Sequence, residues 1–291
     1  MQKPHKYDTV ISGRCFVLSK LSISSYRSES LVAVHNYYSD ATSFPSHVHD
    51  AYELLYLTKG EATYTVEGKA YRISKGSLVI TKPLKVHAVT FFTPSEYERY
   101  DILFDDKVLS TNICNMLPPK LDVLHFAGNS VIAELFKKFD YYCGALPREA
   151  LQSVLSHLTE EILLNAYIAS RDIQERTSYT TNPLVKQAVT YIERHLTESL
   201  SVNDVCRQLH ITQSYLLHLF KQHLSISPKK YIMSKRLAMA QMVLRSGIRP
   251  TEVYKQCGFS DYSTFFRAYK NHYGRSPTTE TDHQSIRSVN S

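Results

Sequence analysis

Apolar residues recur along this chain with two different periods, and the change of period divides it. Between residues 31 and 104, short runs rich in β-branched and aromatic side chains occupy 31–38, 62–66, 70–73, 78–81, 88–92 and 99–104, and these read as strands. Glu67-Gly68-Lys69 predicts a hairpin turn between two of them. Many short strands with regular turns point to a closed barrel or jelly roll. Beyond Asp105 the period becomes helical. Val131, Leu135 and Phe139 form one stripe, and Leu151, Val154, Leu155, Leu158, Ile162 and Leu163 form a second after Pro147. A stripe this apolar either covers the barrel or pairs with its own copy in a dimer. Residues 170–182 are polar and aperiodic and end at Pro183, which marks a linker.

From Leu184 onward the pattern is helical, and it repeats. Asp204-Val-Cys-Arg-Gln-Leu-His-Ile-Thr212, then Ser214-Tyr-Leu-Leu-His-Leu-Phe-Lys221 and Ser227-Pro228, form the first copy. Glu252-Val-Tyr-Lys-Gln-Cys-Gly-Phe-Ser260, then Ser263-Thr-Phe-Phe-Arg-Ala-Tyr-Lys270 and Ser276-Pro277, form the second. The offset grows by one residue across the turn, so the second turn is one residue longer. Helix boundaries are signalled throughout. Ser201 with Asp204 resembles a capping box, and Thr212 caps the next helix. Pro228 and Pro250 suit first turns, while Gly247 and Gly274 suit helix ends. Two helix–turn–helix units can fill two major-groove sites on one face of DNA.

Charge sharpens this picture. Residues 183–291 carry 15 Lys and Arg against 7 Asp and Glu, a net +8, whereas residues 1–182 carry 19 against 20. Only the back of the chain is suited to a polyanion. In the first copy Leu216, Leu219 and Phe220 form the apolar side of the second helix, leaving Gln213, Ser214, Leu217, His218 and Lys221 outward. In the second copy Phe265 and Tyr269 pack inward, leaving Ser263, Thr264, Phe266, Arg267 and Lys270 toward DNA. Arg267 suits a bidentate contact to guanine, and Lys221 and Lys270 suit phosphates. Leu217 and Phe266 either touch thymine methyls or belong to the core.

The stretch 257–277, with 184–278 around it, resembles the signature of the AraC/XylS family of bacterial transcription regulators. The resemblance implies two helix–turn–helix units joined by one long helix, with Ser214, Leu217, His218, Thr264 and Arg267 at base-contacting positions. It also implies an operator in double-stranded DNA, contact with RNA polymerase, and activation as the usual role. Three residues depart from the family pattern: His218 stands where Arg is frequent, His210 where Gly is frequent, and Tyr254 where Ala is usual.

His47-Val-His49-Asp-Ala-Tyr-Glu53 and the distant His87 bring three imidazoles and a carboxylate within reach of one another, a plausible site for Fe, Mn, Zn or Ni. The spacing matches the first cupin motif, H-x-H-x-x-x-E-x6-G, ending at Gly60. The second cupin motif is partial: Gly76, Pro83 and His87 fit, but Leu84 replaces its Gly. Three readings stand: a polar wall for a small effector, a metal site, or residues that only pack. No cofactor is required, and a divalent metal is possible. Tyr52, Tyr56 and Tyr64 are candidates for the rim, in a chain with 21 Tyr and no Trp.

The expected organisation is α+β and multidomain: a cupin-like jelly-roll barrel over 1–110, a helical dimerisation or packing segment over 111–168, a linker over 169–183, and an all-α DNA-binding domain over 184–291. Its helix–turn–helix units fall at 201–223 and 250–273. The resemblance makes a sugar the first effector to expect and a metal-dependent enzyme a rival reading. The third reading is a constitutive DNA-binding dimer with a barrel that senses nothing. Five cysteines without a C-x-x-C pair, and the lack of a long apolar run, fit a cytoplasmic protein that does not span a membrane.

Overall fold

The computed structural model describes residues 20–126, 130–171 and 182–280. Most of the 169–183 linker, Cys15 and the N-terminal segment lie outside the described residues. The chain forms two compact units: residues 1–45, 51–83 and 88–179 make up the first, and residues 46–50, 84–87 and 180–291 the second.

The first unit is an eight-stranded sheet with helices on one face. Its strands are β1 (Lys20–Arg27), β2 (Leu31–His47), β3 (Tyr52–Lys59), β4 (Glu61–Val66), β5 (Lys69–Ser74), β6 (Ser77–Thr81), β7 (His87–Phe104) and β8 (Val123–His125). They run in the order β1-β2-β7-β3-β6-β8, with β4 joining β7 to β5. The ladders β1–β2, β3–β6, β3–β7, β4–β5 and β6–β8 are antiparallel. At the β4–β5 turn both Glu67 and Gly68 have positive φ, as a two-residue hairpin turn of type I′ requires. Gly60, which ends the H-x-H motif, has φ +95°, and a Cβ there would collide with the Glu96 carbonyl.

The runs at 88–92 and 99–104, expected as two strands, are one strand, β7. The polar stretch between them stays extended and pairs Glu98 with Lys59 of β3. β2 likewise runs on to His47, nine residues beyond the expected run. β1 is Ser-rich, with Leu21 and Ile23 exposed, and β8 has three residues, so neither shows a strand pattern in sequence.

Side chains alternate across each strand, so the sheet has two apolar faces. Leu54, Tyr56, Leu78, Ile80, Tyr100, Ile102 and Phe104 pack with α1 (Ile113–Met116), α2 (Val131–Ala145) and α3 (Arg148–Arg171) in one core. Within it Leu155, Ile162 and Leu163 of α3 are buried against the chain's own sheet. His35 ties α2 to this face: its Nδ1 lies 2.9 Å from Asp140 and its Nε2 2.9 Å from Glu98, under the stacked ring of Tyr100. The opposite face gathers Tyr38, Phe44, Leu55, Leu57, Tyr64, Val79 and Tyr97.

The second unit is helical: α4 (Pro183–Arg194), α5 (Val202–Leu209), α6 (Gln213–Leu224), α7 (Pro228–Arg245), α8 (Pro250–Gln256) and α9 (Tyr262–Tyr273). The expected caps form. Ser201 and Asp204 make a reciprocal capping box on α5, and the hydroxyls of Thr212 and Ser227 accept from the Tyr215 and Lys230 amides. One core holds Val185, Ile192, Val205, Leu216, Phe220 and Tyr231, and a second holds Leu237, Leu244, Val253, Cys257, Phe265 and Tyr269. Helix α7 contributes to both, so it is the beam that joins two small three-helix modules.

Buried Glu280 fastens the second module. Its Oε1 accepts from the Tyr269 hydroxyl at 2.8 Å and from Gln241 of α7 at 3.2 Å, and it pairs with Arg275 at 2.6 Å. Burial raises its pKa, but Arg245 and Arg275 outweigh that and hold the carboxyl below the usual range.

Candidate nucleic-acid interface and ligand site

Helices α6 and α9 occupy equivalent places in the two modules. Leu216, Leu219 and Phe220 of α6, and Phe265 and Tyr269 of α9, are buried. Gln213, Ser214, His218 and Lys221 are exposed, as are Ser263, Arg267 and Lys270. Leu217 is 44% exposed and therefore outside the core, whereas Phe266 is half-buried beside Tyr262. Thr264 is half-buried, and its hydroxyl donates to Asp261 at 2.8 Å. Asp261 caps α9 by accepting from the Thr264 amide, and that bond leads the effects holding its carboxyl below the ordinary value. Gln213 donates its amide to Asn203 at the end of α6 that reaches the turn.

An open depression of about 750 Å³ lies at the first turn, lined by Ser201, Asn203, Arg207, His210, Thr212 and Gln213. The sequence reading passed over Arg207 and Asn203 because they sit on α5 rather than on the recognition helix. The two turns share one backbone detail, reached with different residues. His210 has φ +54°, the left-handed conformation that Gly258 adopts 48 residues later with φ +77°.

In the N-terminal domain, the donor atoms of His47, His49, Glu53 and His87 all lie within 4.8 Å of one another. The His47 and His87 rings are 4.1 Å apart, and those of His49 and His87 5.1 Å. His49, Glu53 and His87 are buried. His87 Nδ1 sits 2.8 Å from the Lys85 carbonyl, which fixes the ring and turns Nε2 toward the cluster. His49 lies just past the end of β2 rather than within a strand, yet it still converges. Tyr64 is on the same face of the sheet, with its hydroxyl 2.7 Å from Thr81. Tyr56 and Tyr52 are not: Tyr56 stacks on Phe136 of α2 and Tyr52 on Phe104, both in the core beneath the helices. Tyr56 therefore leaves the candidate ligand set, because it has the strand parity opposite to Glu53.

Comparison with known proteins bears on both domains. A helix–turn–helix domain model matches residues 205–282, and an AraC-like ligand binding domain model matches residues 31–110, together more than half of the chain. The chain belongs to the AraC/XylS family of transcription regulators. Its relatives include the Msm operon regulatory protein of Streptococcus mutans, 31% identical over 129 residues and 44% of each chain. The HTH-type transcriptional activator RhaS of Salmonella schwarzengrund is 23% identical over 248 residues, covering 81% of this chain and 86% of that one. The chain thus spans under half the length of the first relative and most of the second. Among solved structures, the AraC-like transcriptional activator CuxR is 14% identical with TM-score 0.40, covering 74% of this chain and 79% of that one. This AraC/XylS member thus carries a helix–turn–helix domain and an AraC-like ligand binding domain, and its relatives are named as transcription regulators. Among the described residues no helix is long and apolar enough to cross a membrane.

Proposed function

We propose that this protein is a cytoplasmic, effector-responsive activator that binds a specific operator as a homodimer and contacts RNA polymerase. The observation that carries the reading is the pair of recognition helices, each with an apolar face buried and a polar, partly cationic face presented outward. The effector binds in the N-terminal domain and shifts the protein between two states of different DNA affinity. A sugar-like metabolite is the effector class, in line with the resemblance.

The test selects binding sequences from a random duplex pool and then measures their affinity against unselected DNA. An enriched motif bound about 1,000-fold more tightly than random DNA supports the reading. Equal affinity for all duplexes refutes it.

A second observation favours a metal in the histidine cluster. Three imidazoles and a carboxylate with mutually close donor atoms, one imidazole fixed by a backbone carbonyl, make a donor set suited to Zn, Fe, Mn or Ni. Such an ion would serve as a structural or effector-binding centre, held by His47, His49, Glu53 and His87. Metal analysis of the purified protein tests this. About one equivalent, lost in His87→Ala, supports it, and metal-free protein that still responds to an effector removes it.

A further inference from the structure

Both recognition helices carry a large apolar side chain on the face that their polar residues turn outward. Leu217 of α6 and Phe266 of α9 stand 49 residues apart, the offset that also relates Lys221 to Lys270, so they occupy one position of the repeat. Leu217 is 44% exposed and Phe266 half-buried, and among the described residues neither belongs to the buried core of its module. Phe266 leans on the rim of the second core through the ring of Tyr262, 6.0 Å away. Around Leu217 stand Ser214 and Lys221, three positions before it and four after, with His218 beside it. Ser263, Lys270 and Arg267 stand likewise around Phe266. All six of these neighbours are exposed.

A single exposed leucine is ordinary. A large apolar side chain at the same position of both copies, inside a face suited to a polyanion, is not explained by packing, because neither core receives it. We propose that Leu217 and Phe266 each cover the 5-methyl group of a thymine in the major groove, one in the sequence read by α6 and one in the sequence read by α9. This rests on the reading of the two helices as operator contacts and specifies the chemistry they select, a 5-methylpyrimidine. The thymine methyl is the apolar group that the major groove displays, and apolar side chains are its partners there. The flanking groups suit this placement. Lys221 and Lys270 take phosphates, while His218 and Arg267 hydrogen-bond to base edges beside the covered methyl. A protein partner fits less well, because the six neighbours include three full cations and no carboxylate. Arg267 follows Phe266 directly, so the thymine assigned to Phe266 belongs to the same half-site as the base that Arg267 reads.

The experiment uses the full chain and an operator enriched from a random duplex pool. Each thymine is replaced in turn by deoxyuridine, which removes the methyl and keeps every hydrogen-bonding group of the base. The proposal expects two positions, one in each half-site, where the replacement weakens wild-type binding about 3- to 5-fold, the worth of one buried methyl. Leu217→Ala should abolish the loss at one of them and Phe266→Ala at the other, with affinity for random DNA unchanged as the control on folding. Where either thymine is exchanged for cytosine, 5-methylcytosine should bind more tightly than cytosine by the same factor. The wild-type scan needs no variant, so it decides the matter even if Phe266→Ala misfolds. An enriched operator whose binding ignores deoxyuridine throughout overturns the inference and leaves the operator reading standing. Deoxyuridine sensitivity that both variants retain does the same. Variants that hold the operator at full affinity but no longer activate transcription overturn it as well, and assign the two side chains to a protein partner. A pool that yields no enriched sequence overturns both readings.

Discussion

Equivalent positions in the two helix–turn–helix units should respond to opposite substitutions with opposite signs. Gly258 and His210 both follow the first helix of their unit with left-handed backbone, φ +77° and +54°. A Cβ on Gly258 would stand 2.5 Å from the Leu196 carbonyl oxygen and 2.9 Å from Arg236 Nε. Arg236 already donates from Nε to that same carbonyl at 2.9 Å and from Nη2 to Glu198 O at 2.7 Å, so neither neighbour yields easily. Gly258→Ala therefore combines a left-handed penalty of about 1–2 kcal/mol with an overpacking cost of about 1–3 kcal/mol. The expected loss is about 2–5 kcal/mol, or a Tm lower by roughly 8 °C or more for a unit of this size. His210 is exposed, so His210→Gly loses no packing. It removes the left-handed penalty and adds about 0.5–1 kcal/mol of unfolded-state entropy cost, for a net gain of about 0.5 kcal/mol. Urea unfolding of the full chain, followed by circular dichroism, measures both. A Gly258→Ala protein within 0.5 kcal/mol of wild type would refute the close approach, and a destabilised His210→Gly protein would refute the strain argument.

Four further outcomes are expected. Arg267→Ala should weaken operator binding by about 1–3 kcal/mol and relax preference at one base pair, whereas equal weakening on random DNA would deny it a base-reading role. Lys221→Ala should reduce the salt dependence of binding by about one unit of slope, measured by titration at several ionic strengths. Glu280→Ala should cost about 3 kcal/mol, because it strands Arg275, Tyr269 and Gln241 around a vacated buried carboxylate; unchanged urea unfolding would disprove the clasp. Hydrogen bonds from Ser201 bring Asp204 down to about 2. The folded carboxyl thus binds fewer protons than the unfolded one, so its contribution is present above about pH 4 and lost as pH falls toward 2. Asp204→Asn should flatten stability against pH in that window.

The DNA-binding unit was readable almost residue by residue, because its signals are local. Ser201, Thr212 and Ser227 are capping residues with one favourable backbone partner each, and the repeat supplies an independent register. The sheet was harder, because strand length there is decided by partners. Nothing in 93–98 looks like a strand, yet β7 runs through it, and the stretch joins the ladder with β3 where Glu98 pairs with Lys59. The histidine cluster is legible in the short spacing of His47, His49 and Glu53, although His49 lies just past the end of β2 and not within a strand. Tyr56 was misplaced for want of the same parity test, and Thr264 was counted as a base contact although its hydroxyl serves the cap. The buried pair of Arg99 and Asp101 on β7, 2.8 Å apart, left no mark in the sequence either, because charges within a strand ordinarily mark its solvent side.

Helix α7 is 18 residues long, with proline only at its first position and no glycine within it. At about 1.5 Å per residue it is a rod of roughly 27 Å whose ends are built into two different cores. One base pair inserted between the two sequences read by α6 and α9 turns one against the other by about 34°. A stiff rod cannot follow that rotation. On the proposed function, a DNA site read by α6 and α9 can therefore drift in the letters of each half, whereas a change in the spacing between the halves breaks simultaneous contact by both helices.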